Sequence, residues 1–265
     1  MIDYSEDPSA FEPKFKRFEN ALSKARYIAV LTGAGVSTLS GIPDFRGTGG
    51  IYTKQYNHLD VESLLNIDFF HQHPEIFYKW AADVWFKLEN YKPNIVHETV
   101  ARMEKMGVIH EVFTQNIDML HQRAGSKEVY EVHGSPMHNY CTRCNKHYSY
   151  EQIAPTASKG EVPYCSCGGV IKPDIVFYGE MLNPHTLQKA EEIFGRRCDM
   201  CIVLGSSLNV SPVNQLPYMA ISHGSALAIV NAQDTPLDGY ATFRFRDLKQ
   251  TCTALNGYLD RKEEK

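Results

Sequence analysis

Short apolar, β-branched runs recur along the chain, each ending abruptly in small or polar residues, and stretches of helical spacing separate most of them. Residues 27–32 (YIAVLT) run into Gly33-Ala34-Gly35, residues 112–114 into Gln115-Asn116-Ile117-Asp118, residues 201–204 into Gly205-Ser206-Ser207, and residues 227–230 into Asn231. Residues 129–132 add another run, which ends on His133-Gly134. This alternation predicts an α/β fold, a Rossmann-like doubly wound parallel sheet with helices on both faces. In such sheets ligands bind beyond the carboxyl ends of the strands, where these polar tails converge.

Two stretches depart from that pattern. Residues 47–92 carry helical spacing and many aromatics, among them Phe69, Phe70, Phe77, Tyr78, Trp80, Trp85 and Phe86. Residues 137–172 hold four clustered cysteines and little else that could form a core. They are expected to be the helical part and the zinc-ribbon part of one small inserted domain. Residues 1–46, 93–136 and 173–265 then form the large sheet domain. A chain of 265 residues is long enough for this division.

Lys and Arg number 27 against 31 Asp and Glu, a formal charge of −4, so the whole chain carries no electrostatic footprint for nucleic acid. No apolar run approaches the roughly 18 to 20 residues of a membrane span, and the acidic, mixed first residues do not resemble a signal peptide. A soluble, cytoplasmic protein without direct nucleic-acid or membrane partners is expected. Seven cysteines in such a setting favour metal or chemistry over disulfides. Cys141 and Cys144 form a C-x-x-C knuckle, and Cys165 and Cys167 a tighter C-x-C before Gly168-Gly169. Four thiolates close the coordination of a zinc ion, so one structural Zn²⁺ is expected there. Cys198 and Cys201 make a competing C-x-x-C, but Cys201 opens an apolar run where a thiol packs as a small hydrophobe. His147 is a spare donor nearby.

The turn Gly33-Ala34-Gly35-Val36-Ser37 follows a strand, so its backbone N–H groups and a helix start suit a diphosphate. The third glycine of a dehydrogenase fingerprint is replaced by Thr38, and no acidic residue closes a second strand about 20 residues on, which argues against ordinary hydride transfer. A tight turn without a ligand is the alternative at this point. Gly41-Ile42-Pro43-Asp44-Phe45-Arg46-Gly47 adds a rigid proline, a charge pair and an aromatic ring beside it.

Together with these, TQNIDMLHQRAG (residues 114–125), EVHGS (131–135), PDIVFYGE (173–180), GSSLNVSP (205–212) and IVNAQDTP resemble the sirtuins, in the family's order, from about Ala29 to Asp238. The resemblance implies an NAD-dependent protein-lysine deacylase with acyl-lysine proteins or peptides as substrates. It makes the sheet domain the NAD-binding domain. In that chemistry the acyl oxygen displaces nicotinamide from the NAD ribose to give an alkylimidate, and a base then activates a ribose hydroxyl. His133 takes the base position, a role that suits an imidazole titrating near neutrality at a strand end; His97, His110 and His121 are assigned no chemistry.

By the same resemblance Asn116 orders the ribose and a water, and Asp118 accepts from the nicotinamide amide. Gln115 and Ile117 belong to that run, and Phe45, between Asp44 and Arg46, shields the reactive carbon. Gly33, Ala34, Gly35 and Ser37, with Gly205, Ser206 and Ser207, hold phosphate or ribose, and Asn231 the adenine-side ribose. The substrate adds as a strand between Val176, Phe177, Gly179 and Glu180 on one side and Leu208, Asn209 and Val210 on the other. Desuccinylating members carry a Tyr followed three residues later by an Arg; here Tyr78 takes the first position in the acyl pocket and Ala81 the second. The family's alternative reaction is NAD-dependent protein ADP-ribosylation. A zinc-ribbon module without catalysis is the reading from another class, disfavoured by the acidic charge and the convergent NAD-type residues.

Overall fold

The computed structural model describes residues 4–44, 56, 58–86 and 90–264. Its described strands are β1 (Ile28–Thr32), β2 (Glu111–Thr114), β3 (Val129–Glu131), β4 (Gly134–Cys141), β5 (His147–Ser149), β6 (Ile171–Ile175), β7 (Met200–Leu204), β8 (Ala226–Val230) and β9 (Phe243–Phe245). Six of them form one sheet in the order β3-β2-β1-β7-β8-β9, with every pairing parallel. This is the doubly wound order, and the strand direction of travel reverses between β1 and β7, where a crevice must open.

Alternation along the strands feeds two cores. Ile28 and Val30 of β1, with Met200, Ile202 and Leu204 of β7, face the helices Pro8–Lys24, Ile95–Lys105 and Leu248–Glu263. Ala29 and Leu31, with Cys201 and Val203, face Ile193, Phe194, Leu216 and Ala220 on the opposite side. Asp7 caps the first of these helices by accepting from Ser9 N at 2.8 Å, and Phe11, Phe15 and Phe18 along it pack against Phe245 of β9 in tilted and edge-on contacts. Burying such rings stabilises by roughly 1.5–3 kcal/mol each. The helix expected after the glycine turn is instead a 3-10 helix, Ala34–Ser40, which ends at Gly41 with φ +87°.

A second, antiparallel sheet has the order β5-β4-β6. It shares one core with the aromatic helices: Phe70, Phe77, Tyr78, Trp80 and Phe86 pack with Cys141, Ile153, Ala157, Ile171 and Phe177. The cysteine-bearing stretch was expected to hold little that could form a core. It contributes Cys141, Cys165 and Ile171 together with Ile153 and Ala157 from an added helix, Tyr150–Ala157, and shares that core with the aromatic helices.

Beneath the carboxyl end of β1 lies a buried histidine pair. His97 accepts from Asn94 N at 3.3 Å, His121 Nε2 stands 3.0 Å from Thr32 Oγ1, and the rings are 4.9 Å apart. Burial pushes both imidazoles below their usual 6.5, with Asp118 opposing for His97. Well above pH 6.5 neither state is protonated; as pH falls through 6.5 the unfolded chain takes up both protons and the folded chain resists, so stability falls as pH falls. Glu131, whose carboxyl burial pushes up to about 6, works in the opposite sense between pH 6 and 4.5. Thermal denaturation should therefore show a Tm that levels off toward pH 8 and declines as pH falls through 6.5, approaching about 1.4 kcal/mol per pH unit for each net proton. His121→Asn should flatten that decline; an unchanged slope would place its origin elsewhere.

Candidate active site

At the reversal point the loops after β1 and β7 touch through backbone. Gly35 N donates to Gly205 O at 2.8 Å, and Gly33 N to Leu204 O at 3.0 Å. A Cβ on Gly35 would lie 2.7 Å from Gly205 O, and one on Gly205, which has φ +60°, 2.4 Å from Val36 N. The sequence reading assigned these glycines to close approach of a phosphate. Their first requirement is the approach of one loop to the other, and the Gly35 N–H is already committed.

The crevice so formed is a cavity of about 1100 Å³. Of the expected cofactor residues it is lined by Gly33, Ala34, Gly35, Asp44, Gln115, Asn116, Ile117, Gly205, Ser206, Ser207 and Asn231. His133, Val176, Phe177, Gly179, Glu180 and Val210 also line it. Phe45 and Arg46 lie outside the described residues.

His133 sits at the end of β3, half-buried, with Nδ1 2.9 Å from Gln115 O. A carbonyl only accepts, so Nδ1 carries the proton and Nε2 keeps a lone pair. Burial pushes the imidazole below its usual value, opposed by that hydrogen bond. Asn116 donates from Nδ2 to Gly33 O and to Ser37 Oγ, both at 3.1 Å, leaving its carbonyl oxygen to offer a ligand. Ser206 Oγ accepts from Gln115 Nε2 at 2.9 Å and from Leu208 N at 3.2 Å, which leaves its proton for a ligand oxygen.

Five expected residues stand elsewhere. Ser37 and Asp118 are buried and meet each other, Oγ to Oδ2 at 2.5 Å, while Asp118 Oδ1 accepts from Leu120 N at 2.9 Å; they brace the loop that presents Asn116. Leu208 is buried in the core and Asn209 is exposed beside it, so of residues 208–210 Val210 reaches the cleft wall. Tyr78 requires correction. It is fully buried, donates its hydroxyl to Ile171 O at 2.5 Å and packs against Phe70, Phe77 and Phe86, so it belongs to the core and does not line the cavity. The cleft wall there is made by Leu65, Trp85, Ile175 and Phe177. At the Asn231 end, Arg246, Asp247 and Lys249 line the cleft. They too follow a strand, β9, but its three residues are too short a run to be read from sequence.

The sulfurs of Cys141, Cys144, Cys165 and Cys167 all lie within 4.8 Å of one another, with Cys141 to Cys167 at 3.5 Å and Cys144 to Cys165 at 3.6 Å. A tetrahedron with metal–sulfur bonds of about 2.3 Å has edges of about 3.8 Å, so the donor set fits one structural zinc. Tyr148 Oη and Arg143 N donate to these sulfurs and orient them. Cys198 and Cys201 are buried in the sheet core instead.

A family model described as the Sir2 family matches residues 33–212. The NAD-dependent protein deacetylase of Thermotoga maritima is 45% identical over 88% of this chain and 92% of its own length. The chain belongs to the Sir2 family. A solved Sir2 complex with a deacetylated peptide and 3'-O-acetyl-ADP-ribose superposes with a TM-score of 0.85 at 41% identity, covering 93% of this chain and 98% of that one. A Sir2–peptide–NAD⁺ complex gives a TM-score of 0.83 at 40% identity, covering 95% and 99%. As a sirtuin the chain uses NAD, and its four clustered thiols suit the structural zinc.

Metal analysis should find one zinc per chain, lost together with much of the thermal stability in Cys141→Ala or Cys167→Ala, because the metal cross-links the ribbon. Cys198→Ala is the control and should keep its zinc. The reverse pattern would reassign the ligands.

Proposed function

We propose that this sirtuin removes acetyl and other uncharged acyl groups from protein lysines, yielding free lysine, nicotinamide and O-acyl-ADP-ribose. The observation that carries the reading is His133: an imidazole at the cleft whose Nδ1 proton is tied to Gln115 O, leaving Nε2 as a base beside Asn116. NAD supplies the electrophilic ribose carbon and takes up the acyl group. His133 removes a proton from a ribose hydroxyl, and Asn116 holds the ribose or a water through its carbonyl oxygen. Ser206, Ser207 and the 33–35 loop take the phosphates, and Asn231, with the neighbouring Arg246–Lys249 segment, takes the adenosine end. Asp118 acts on the nicotinamide side, from behind Asn116 and Ile117. Residues 176–180 and Val210 border the acyl-peptide, which adds as a strand. Seven free thiols fit a reducing, cytoplasmic setting. No helix of the described residues is long and apolar enough to cross a membrane.

His133→Ala should lower deacetylation by about 10² to 10⁴ while the protein still folds and binds NAD. In the parent enzyme kcat/KM should fall as pH drops through the lowered histidine value, since the protonated ring cannot act as base. Near-normal turnover by the folded variant would remove His133 from this role. Label transferred from NAD to the protein target, with the lysine left acylated, would point to ADP-ribosylation instead.

The walls beside Phe177 are apolar, and the cleft's described cations, Arg246 and Lys249, stand near Asn231 and Ala232. Ala81 is buried, and Lys79 points outward from the aromatic helix. A succinyl carboxylate would thus be buried without a partner, at a cost of several kcal/mol. On one peptide, kcat/KM for acetyl- or butyryl-lysine should exceed that for succinyl-lysine by at least about tenfold. Equal turnover would require another cation in the pocket.

A further inference from the structure

Lys172 is a fully buried lysine on β6 whose three ammonium donors are all used. Nζ is 2.9 Å from Glu180 Oε2, 2.8 Å from Ile175 O and 3.2 Å from Pro173 O. It also stands over the Phe177 ring, 4.0 Å from the centroid, with Tyr140 at 5.5 Å. Glu180 Oε2 accepts in turn from Phe177 N at 2.8 Å, and Tyr140 Oη donates to Oε1 at 3.4 Å. A carbonyl, a ring and a carboxylate from residues 175–180 thus gather on one ammonium, and the carboxylate in turn holds the Phe177 amide. A buried charge is tolerated only with such saturation.

The gathered segment carries the cleft. Its ends are tied across the fold, Val176 N to His133 O at 2.9 Å and Tyr178 N to Leu65 O at 2.8 Å, and Ile67 N donates to Tyr178 O at 3.0 Å. Gly179 takes φ +94°, a left-handed turn that brings Glu180 back toward Lys172. Lys172 itself does not line the cleft, whereas Val176, Phe177, Tyr178, Gly179 and Glu180 do.

We infer that Lys172, paired with Glu180, is a positioning residue that holds the 176–180 segment in its substrate-accepting shape beside His133. The inference rests on the deacylase reading. Without the ammonium, Glu180 is a half-buried carboxylate facing two carbonyls, so it swings toward water and releases the Phe177 amide. The peptide loses a preformed edge while the NAD end keeps its geometry.

The test uses zinc-loaded full-length enzyme, an acetyl-lysine peptide and NAD, with steady-state constants for each substrate. Lys172→Met should raise the peptide KM tenfold or more and leave the NAD KM within twofold. Glu180→Gln should raise the peptide KM in the same direction. The double variant should lie at or below the KM of Lys172→Met, because neither charge is left without its partner. An unchanged peptide KM in folded Lys172→Met overturns the proposal, as does a parallel loss on both substrates with independent, additive effects of the two changes, which would mark a merely structural lysine. If Lys172→Met does not fold, Glu180→Gln decides alone, an unchanged peptide KM sinking the idea. Absence of peptide-dependent nicotinamide release by the parent enzyme would instead overturn the deacylase reading.

Discussion

Two backbones meet where β1 and β7 end, and the cleft exists because nothing but hydrogen separates them. Gly33 and Gly35 lie against Gly205 so closely that a methyl group at any of the three would overlap backbone atoms. Packed backbone of this kind does not yield by rotamer change, as a crowded side chain can. The contact sets the spacing of the loops bearing Ala34, Ser206 and Ser207, and through the Gln115–Ser206 hydrogen bond it ties in the third loop, which carries Asn116. His133 then takes its orientation from Gln115 O. His133 and the loops after β1 and β7 are parts of one connected lattice of bonds.

Under that lattice the protein places polar groups where water is scarce. Thr32, Thr114 and His121 are linked by hydrogen bonds at 2.8 and 3.0 Å, and Ser37, Asp118 and Asn116 form a second linked set. In a low-dielectric setting such linked sets are rigid, and an unpartnered atom such as His121 Nδ1 is costly. This is why residues that resemble ligand contacts, Ser37 and Asp118 among them, also serve as braces. The same burial keeps His97 and His121 neutral and separates them from the chemistry of His133, which retains an edge in the cleft.

The small module reaches the cleft by a different route. Its zinc-binding knuckles and its aromatic helices share a core, so metal binding and the packing of Phe77, Tyr78 and Phe177 support one another. Phe177 is the joint: its ring packs on Phe70, Phe77 and Trp85, its amide is held by Glu180, and its surface borders the cavity. Changes in the ribbon can therefore be felt at the substrate edge without any ligand touching the metal.

The sequence by itself determined the sheet and singled out many of the residues that line the cleft. Five of the six parallel strands announce themselves as apolar runs: four of them, β1, β2, β7 and β8, lie inside the sheet, where burial on both faces favours apolar residues, and β3 at the edge is read from its short run ending on His133. The polar tails after them are read directly, because the end of a strand and the start of a loop are adjacent in the chain. The four zinc ligands are legible for the same reason, their knuckles being local. What only the tertiary structure decided is whatever depends on residues distant in sequence. That the glycines answer to Gly205, that Tyr78 turns into a core and bonds Ile171 O, and that Arg246 and Lys249 reach the Asn231 end are facts of folding between segments far apart. Lys172 is the clearest case. In sequence it is one lysine among many before a proline, and its meaning appears only when a strand, a left-handed glycine and a glutamate eight residues on close around its charge.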